Sequence, residues 1–176
     1  INIEGVGTPP RLYRKMMERP SNERWREAAE KLSQKAGQSL RVFATPELAM
    51  RRMRQLHIKV PTEIVNHVAR YAIREVAGGY SWKYDRLLNF VSHRPEAPDE
   101  YMQLYQSITC PVLLFYGGAS FTTPPDRDER GQIFRDEKLI VYEDAGHWLH
   151  HERLDDFVRD ILLFLGEKQN KVISSG

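Results

Sequence analysis

The residues best suited to chemistry gather around one histidine. Lys138–Tyr142 is a short β-rich run, Asp144-Ala145-Gly146 is a tight turn, and His147 follows just before an amphipathic stretch. An imidazole with an ordinary pKa of ~6.5 takes a proton from a hydroxyl and returns it to a leaving group. Presented at such a turn, His147 is a candidate general base. A base of this kind needs a nucleophile, and the sequence contains no Gly-x-Ser-x-Gly. Gly118-Ala119-Ser120-Phe121-Thr122 comes within one residue of that pattern. However, Ser120 runs into Thr-Thr-Pro-Pro instead of a helix and lacks the final glycine, so it is not expected to be the nucleophile. His147, His150, His151 and Glu152 lack the His-Glu-x-x-His order of a helical zinc site, and neither a metal nor another cofactor is expected. Arg51, Arg52 and Arg54 lie on a helix whose other side carries Met50, Met53 and Leu56, which reads as a solvated face and not a nucleic-acid site.

The elements that must position His147 change character along the chain. Ile1–Glu4 is strand-like, and Gly5 to Pro10 is a turn by composition. From there to about residue 107 the pattern predicts helices and loops. Ser21 is the expected N-cap of a helix to Ala36 with Gly37 as its stop, and Thr45-Pro46-Glu47 starts a second helix. Ile64, Val65, Val68, Ala72, Ile73 and Val76 recur at helical spacing, predicting a helix over 62–76 ended by Gly78-Gly79. Pro95 and Pro98 break the chain before a short helix near Asp99–Gln106. Val112–Tyr116 is a continuous apolar run closed by Gly117-Gly118, as expected of a strand buried on both faces. A short polar helix over about 126–134, the strand Lys138–Tyr142 and a helix over 154–165 complete a strand–helix–strand–helix unit of α/β type.

The chain has 176 residues, 41% of them hydrophobic, enough for roughly one domain with a core. Its net charge of +2 points to neither nucleic acid nor an anionic membrane. Residues 1–100 carry 18 Lys/Arg against 12 Asp/Glu, and residues 101–176 carry 8 against 12, so the two parts have different surfaces. The single cysteine, Cys110, excludes an internal disulfide and permits a cytoplasmic setting. No apolar run approaches the ~20 residues of a membrane span. The chain opens at Ile1, without methionine, inside a strand-like run, and its three strands make a poor sheet alone. Partner strands are expected upstream of Ile1 or in another chain.

Ile108-Thr109-Cys110-Pro111-Val112-Leu113-Leu114-Phe115-Tyr116-Gly117 and Asp144-Ala145-Gly146-His147-Trp148-Leu149-His150-His151-Glu152 resemble the last two strands of α/β-hydrolases. Ile3-Glu4-Gly5-Val6-Gly7-Thr8-Pro9-Pro10 is similar to the strand and turn that precede their helical cap, and Gly78 to Asp85 to a cap segment of the serine hydrolase-like branch. The resemblance implies the C-terminal part of that fold: residues 1–9 as a core strand and pre-cap turn, 10–107 as the cap, and 108–176 as the end of the core. It also implies a Ser, Asp/Glu, His triad in which His147 is the base. Many members keep the acid in the loop after the penultimate strand, where this chain has no carboxylate before Asp126. Branches such as the haloalkane dehalogenases use a Glu at the end of the pre-cap strand, the position of Glu4. Glu4, Asp126 or an acid outside the chain therefore remain open. Trp148 beside the base is a candidate substrate contact. Trp25, Tyr80, Trp82, Tyr84 and Phe90 could line a pocket in the cap, with Trp82 and Tyr84 put forward.

The implied protein hydrolyses a small acyl ester or similar hydrophobic molecule. Its nucleophile lies in an N-terminal half upstream of Ile1, so this chain alone is expected to be inactive. The alternatives are a non-catalytic binding protein of the same fold and, if the missing nucleophile is aspartate, a dehalogenase-like hydrolase.

Overall fold

The computed structural model describes residues 1–89 and 96–174. In chain order its elements are β1 (Asn2–Ile3), α1 (Pro10–Met17), α2 (Ser21–Ala36), α3 (Pro46–Leu56), α4 (Thr62–Ala72), β2 (Ile73–Val76), β3 (Gly79–Trp82), α5 (Pro98–Gln106), β4 (Val112–Gly117), β5 (Glu137–Tyr142), α6 (Leu149–Glu152) and α7 (Leu154–Ser174). They form two compact units, Ile1–Arg11 with Glu96–Gly176, and Leu12–Pro95.

The first unit is built on a parallel sheet of order β1-β4-β5. Asn2 pairs with Leu114 and Ile3 with Phe115 on one side of β4, and Val112–Gly117 pairs with Glu137–Tyr142 on the other. Every residue of β4 is buried. Leu113 and Phe115 pack on one face with Tyr142, Ala145, Leu149 and Phe164. Val112, Leu114 and Tyr116 pack on the other with Val6, Ile133 and Phe134. Side chains alternate across a strand, so cover on both faces demands the unbroken apolar run seen in the sequence.

Elsewhere the expectations need correction. The connection from β4 to β5 holds no α-helix, only a 3-10 turn at Pro125–Arg127. The segment is tied down instead by Arg130, buried to 5% exposure. Its guanidinium grips the Asp128 carboxylate and donates to the carbonyls of Val6 (2.7 Å) and Thr123. α7 runs past Leu165 to Ser174. Only part of its apolar stripe is covered: Phe157, Ile161 and Phe164 pack on the sheet, while Leu154, Val158 and Leu162 are exposed. Among the described residues no helix is long and apolar enough to cross a membrane.

In the second unit the helix predicted over 62–76 stops at Ala72, and Ile73–Val76 pairs antiparallel with Gly79–Trp82. Gly78 and Gly79 take φ of 85° and 140°, so the pair turns a hairpin where a helix stop was expected. A Cβ on Gly79 would lie 2.2 Å from the Phe43 carbonyl oxygen, whose residue bridges Tyr80. Ser21 is the first residue of α2 and not its cap; Pro20 precedes it, with no side-chain capping bond. Thr45 does stand at the N-cap of α3 with Pro46 behind it, but its hydroxyl bonds the Glu47 carboxylate and helps hold that group's pKa down, after Glu47's own backbone N–H. Phe43, Ala49 and Ile73 form the small core, with Tyr80 and Trp82 against it. Phe90 and Pro95 lie outside the described residues.

Candidate active site

Parallel strands bring their carboxyl ends to one edge of a sheet, where loops carrying functional groups collect. Here β1 ends beside Glu4, β4 ends at Gly117, and β5 runs into the turn bearing His147. Glu4 donates its N–H to the Phe115 carbonyl at 3.0 Å, and its φ is 49°. A left-handed backbone is costly for a residue with a side chain, and such strain collects at functional sites. The Asn2 side chain supports the turn by accepting the Gly5 N–H at 2.8 Å.

The Glu4 side chain is wholly removed from solvent, with 0% exposure, whereas that of His147 is 46% exposed. Three donors converge on the carboxylate. Oε1 accepts the Gly117 N–H at 2.7 Å. Oε2 accepts the Ser120 hydroxyl at 2.8 Å and meets His147 Nδ1 at 2.5 Å. A carboxylate can only accept, so with Glu4 in that form the proton of the contact sits on His147 Nδ1, and in the neutral ring Nε2 is then the nitrogen with a lone pair. A buried carboxylate thus meets a half-exposed imidazole at the carboxyl ends of the strands.

Two glycines make the approach of the loops possible. A Cβ on Gly117 would stand 2.4 Å from the Gly146 carbonyl oxygen, and one on Gly118 would stand 2.6 Å from the Glu143 Cα. With only hydrogen there, the Gly118 N–H reaches the Tyr142 carbonyl (2.8 Å) and the Ala119 N–H reaches the Ala145 carbonyl (2.9 Å). Glu152 pins the turn from the other side, accepting the Gly146 N–H at 2.8 Å. Gly117→Ala is expected to destabilise the chain by about 3 kcal/mol, because backbone and not a flexible side chain must yield. A thermal midpoint equal to wild type would contradict this packing.

The remaining candidates fall in several places. Trp148 packs its ring on His151, 5.3 Å between centroids. The aromatic ring against His147 itself is Phe121, tilted with centroids 4.5 Å apart, and 82% exposed. Phe121 and the Ser120 hydrogen bond were missed by the sequence reading, whose only signal was their place in the loop after the penultimate strand. Asp126 lies exposed on the 3-10 turn, where its charge acts on Arg127. Trp82 and Tyr84, in the other unit, both line a cavity of about 410 Å³ shared with Phe43, Met53 and Leu56.

His150 carries a pH dependence of its own. Burial, followed by the neighbouring His151 and His147, pushes its pKa below the ordinary value, and burial does the same to His151. His150 Nδ1 is buried with no hydrogen-bond partner among the described residues. Unfolded histidines protonate near ~6.5, so below that pH the unfolded chain binds more protons than the folded one and stability falls. The thermal midpoint is expected to be lower at about pH 5.5 than at about pH 7.5, and His150→Phe to narrow that gap. A gap of the same size in the variant would contradict the assignment.

The parallel sheet with its flanking helices is that of an α/β-hydrolase fold, and the chain forms a C-terminal part of it. No family model matches the sequence. The mouse (Mus musculus) protein named sn-1-specific diacylglycerol lipase ABHD11 is 26% identical over 92 residues, 52% of this chain and 29% of the mouse protein. Among solved structures, a thioesterase domain from the curacin biosynthetic pathway superimposes with a TM-score of 0.67 at 21% identity, over 82% of this chain and 52% of the other. E-2-(acetamidomethylene)succinate hydrolase gives 0.62 at 16% identity, over 80% and 52%. The chain thus spans about half the length of the solved structures it matches.

Proposed function

We propose that this chain supplies the base and the acid of an α/β-hydrolase that cleaves small acyl esters or similar hydrophobic substrates through a covalent intermediate. The observation that carries the reading is the 2.5 Å contact between the buried Glu4 carboxylate and His147 Nδ1. Glu4 holds the imidazole in one tautomer and stabilises the imidazolium that forms when Nε2 takes the nucleophile's proton. Nε2 then returns that proton to the leaving group, and deacylation by water repeats the exchange. The nucleophile is a serine upstream of Ile1. The exposed row Leu154, Val158 and Leu162 and the open edge of β1 support a longer protein, in which an N-terminal half covers both.

The unit Leu12–Pro95 is inserted in sequence between the two pieces of the sheet unit, which supports its reading as the cap. Trp82 and Tyr84 are its proposed substrate contacts; Phe121 and Trp148 are those beside the base. A cytoplasmic setting belongs to the same proposal, since one cysteine leaves no internal disulfide to protect. A second reading, a dehalogenase-like hydrolase with an aspartate nucleophile, is favoured by the same position of Glu4. The full-length protein assayed on p-nitrophenyl butyrate and on a 1-haloalkane separates the two. Turnover of the ester alone is expected; turnover of neither would favour a non-catalytic binding protein.

A further inference from the structure

We infer that Ser120 is a positioning residue, whose hydroxyl holds the Glu4 carboxylate in the orientation that meets His147. The inference rests on the reading of Glu4 and His147 as acid and base. Oε2 of Glu4 carries two contacts, the Ser120 hydroxyl at 2.8 Å and the imidazole at 2.5 Å, while the Gly117 N–H occupies Oε1. The last torsion of a glutamate has a broad, roughly two-fold profile. A donor on each oxygen besides the imidazole therefore decides where the carboxylate plane points. Gly117 fixes one oxygen from the end of β4, and Ser120 fixes the other from the loop beyond it.

Ser120 is itself prepared for this. Its N–H donates to the Gly117 carbonyl at 3.1 Å, and its oxygen accepts the Thr122 N–H at 3.3 Å. A hydroxyl has one proton. With the proton of Ser120 on Glu4, the 3.2 Å contact with Thr122 Oγ1 must run from Thr122 as donor to Ser120 as acceptor. The one proton of the hydroxyl is then spent on the acid, and its oxygen accepts from Thr122. A serine whose proton is given to the acid is not aligned on the base, which separates this role from that of nucleophile.

The test compares Ser120→Ala, Ser120→Cys and Ser120→Thr in the full-length protein on p-nitrophenyl butyrate. Loss of one hydrogen bond to a charged group is expected to lower kcat about 10- to 100-fold with KM nearly unchanged. Ser120→Cys, nearly isosteric with a weak S–H donor, is expected to lose activity with Ser120→Ala even where the alanine variant folds poorly. Ser120→Thr restores the hydroxyl and most of kcat. In proton NMR of the full-length protein, the downfield Nδ1–H resonance of His147 is expected to weaken in Ser120→Ala and Ser120→Cys and to persist in Ser120→Thr. Wild-type kcat and an unchanged resonance in both alanine and cysteine variants overturn the role of Ser120. Should Glu4→Gln also leave kcat unchanged, the acid–base reading fails with it; should Glu4→Gln be severely impaired, the inference about Ser120 fails alone.

Discussion

His147→Ala is expected to lower kcat of the full-length protein on p-nitrophenyl butyrate by about 10⁶-fold, with little change in KM. In the proposed mechanism Nε2 is the group of the pair that exchanges a proton with the reactants, so its removal stops both attack and leaving-group departure. What remains is binding and whatever oxyanion stabilisation the rest of the protein supplies. Stability should barely move, because the His147 side chain is 46% exposed and lies outside the packed faces of β4. That combination distinguishes loss of a catalytic base from loss of fold. A variant with normal turnover would remove His147 from the chemistry.

The second large effect concerns the acid. Glu4→Gln keeps the shape and can keep the Gly117 N–H contact but is expected to cost about 10⁴-fold in kcat, the size of effect seen when an orienting carboxylate becomes an amide. An amide nitrogen facing Nδ1 favours the tautomer with hydrogen on Nε2, which is the wrong one for a base. The amide oxygen can keep the Gly117 N–H, but the amide nitrogen then faces the Ser120 hydroxyl as well as Nδ1 and accepts from neither, so the three-donor arrangement breaks. Asp126→Asn, in contrast, alters an exposed turn whose charge acts on Arg127, and kcat is expected to stay within about threefold. Equal losses in the two variants would contradict the assignment of Glu4.

Much of this was legible in the sequence where local rules decide the outcome. The apolar run Val112–Tyr116 needs cover on both faces whatever surrounds it, and it lies at the centre of the sheet. The helix over 62–76 was misread because Ile73 and Val76 satisfy both a helical stripe and a strand. The Gly78-Gly79 pair, which decides between them, reads equally as a stop or a hairpin turn. The short helix over 126–134 failed because the Arg130 interactions that shape this loop reach back to Val6, 124 residues away. Gly117 and Gly118 were visible as a turn, but the carbonyl that presses on Gly117 belongs to Gly146. Glu4 was accessible only through resemblance, since its partner lies 143 positions along the chain. The hydrogen bond from Ser120 to Glu4 was invisible for the same reason, since 116 positions separate the two.

The central claim is that this chain holds the base and acid but not the nucleophile. Fluorophosphonate labelling of the full-length protein, read by intact mass and peptide mapping, tests it most directly. One adduct is expected, on a serine upstream of Ile1, with its rate of formation collapsing in His147→Ala. No adduct, an adduct on Ser120, or labelling indifferent to His147 would contradict the account.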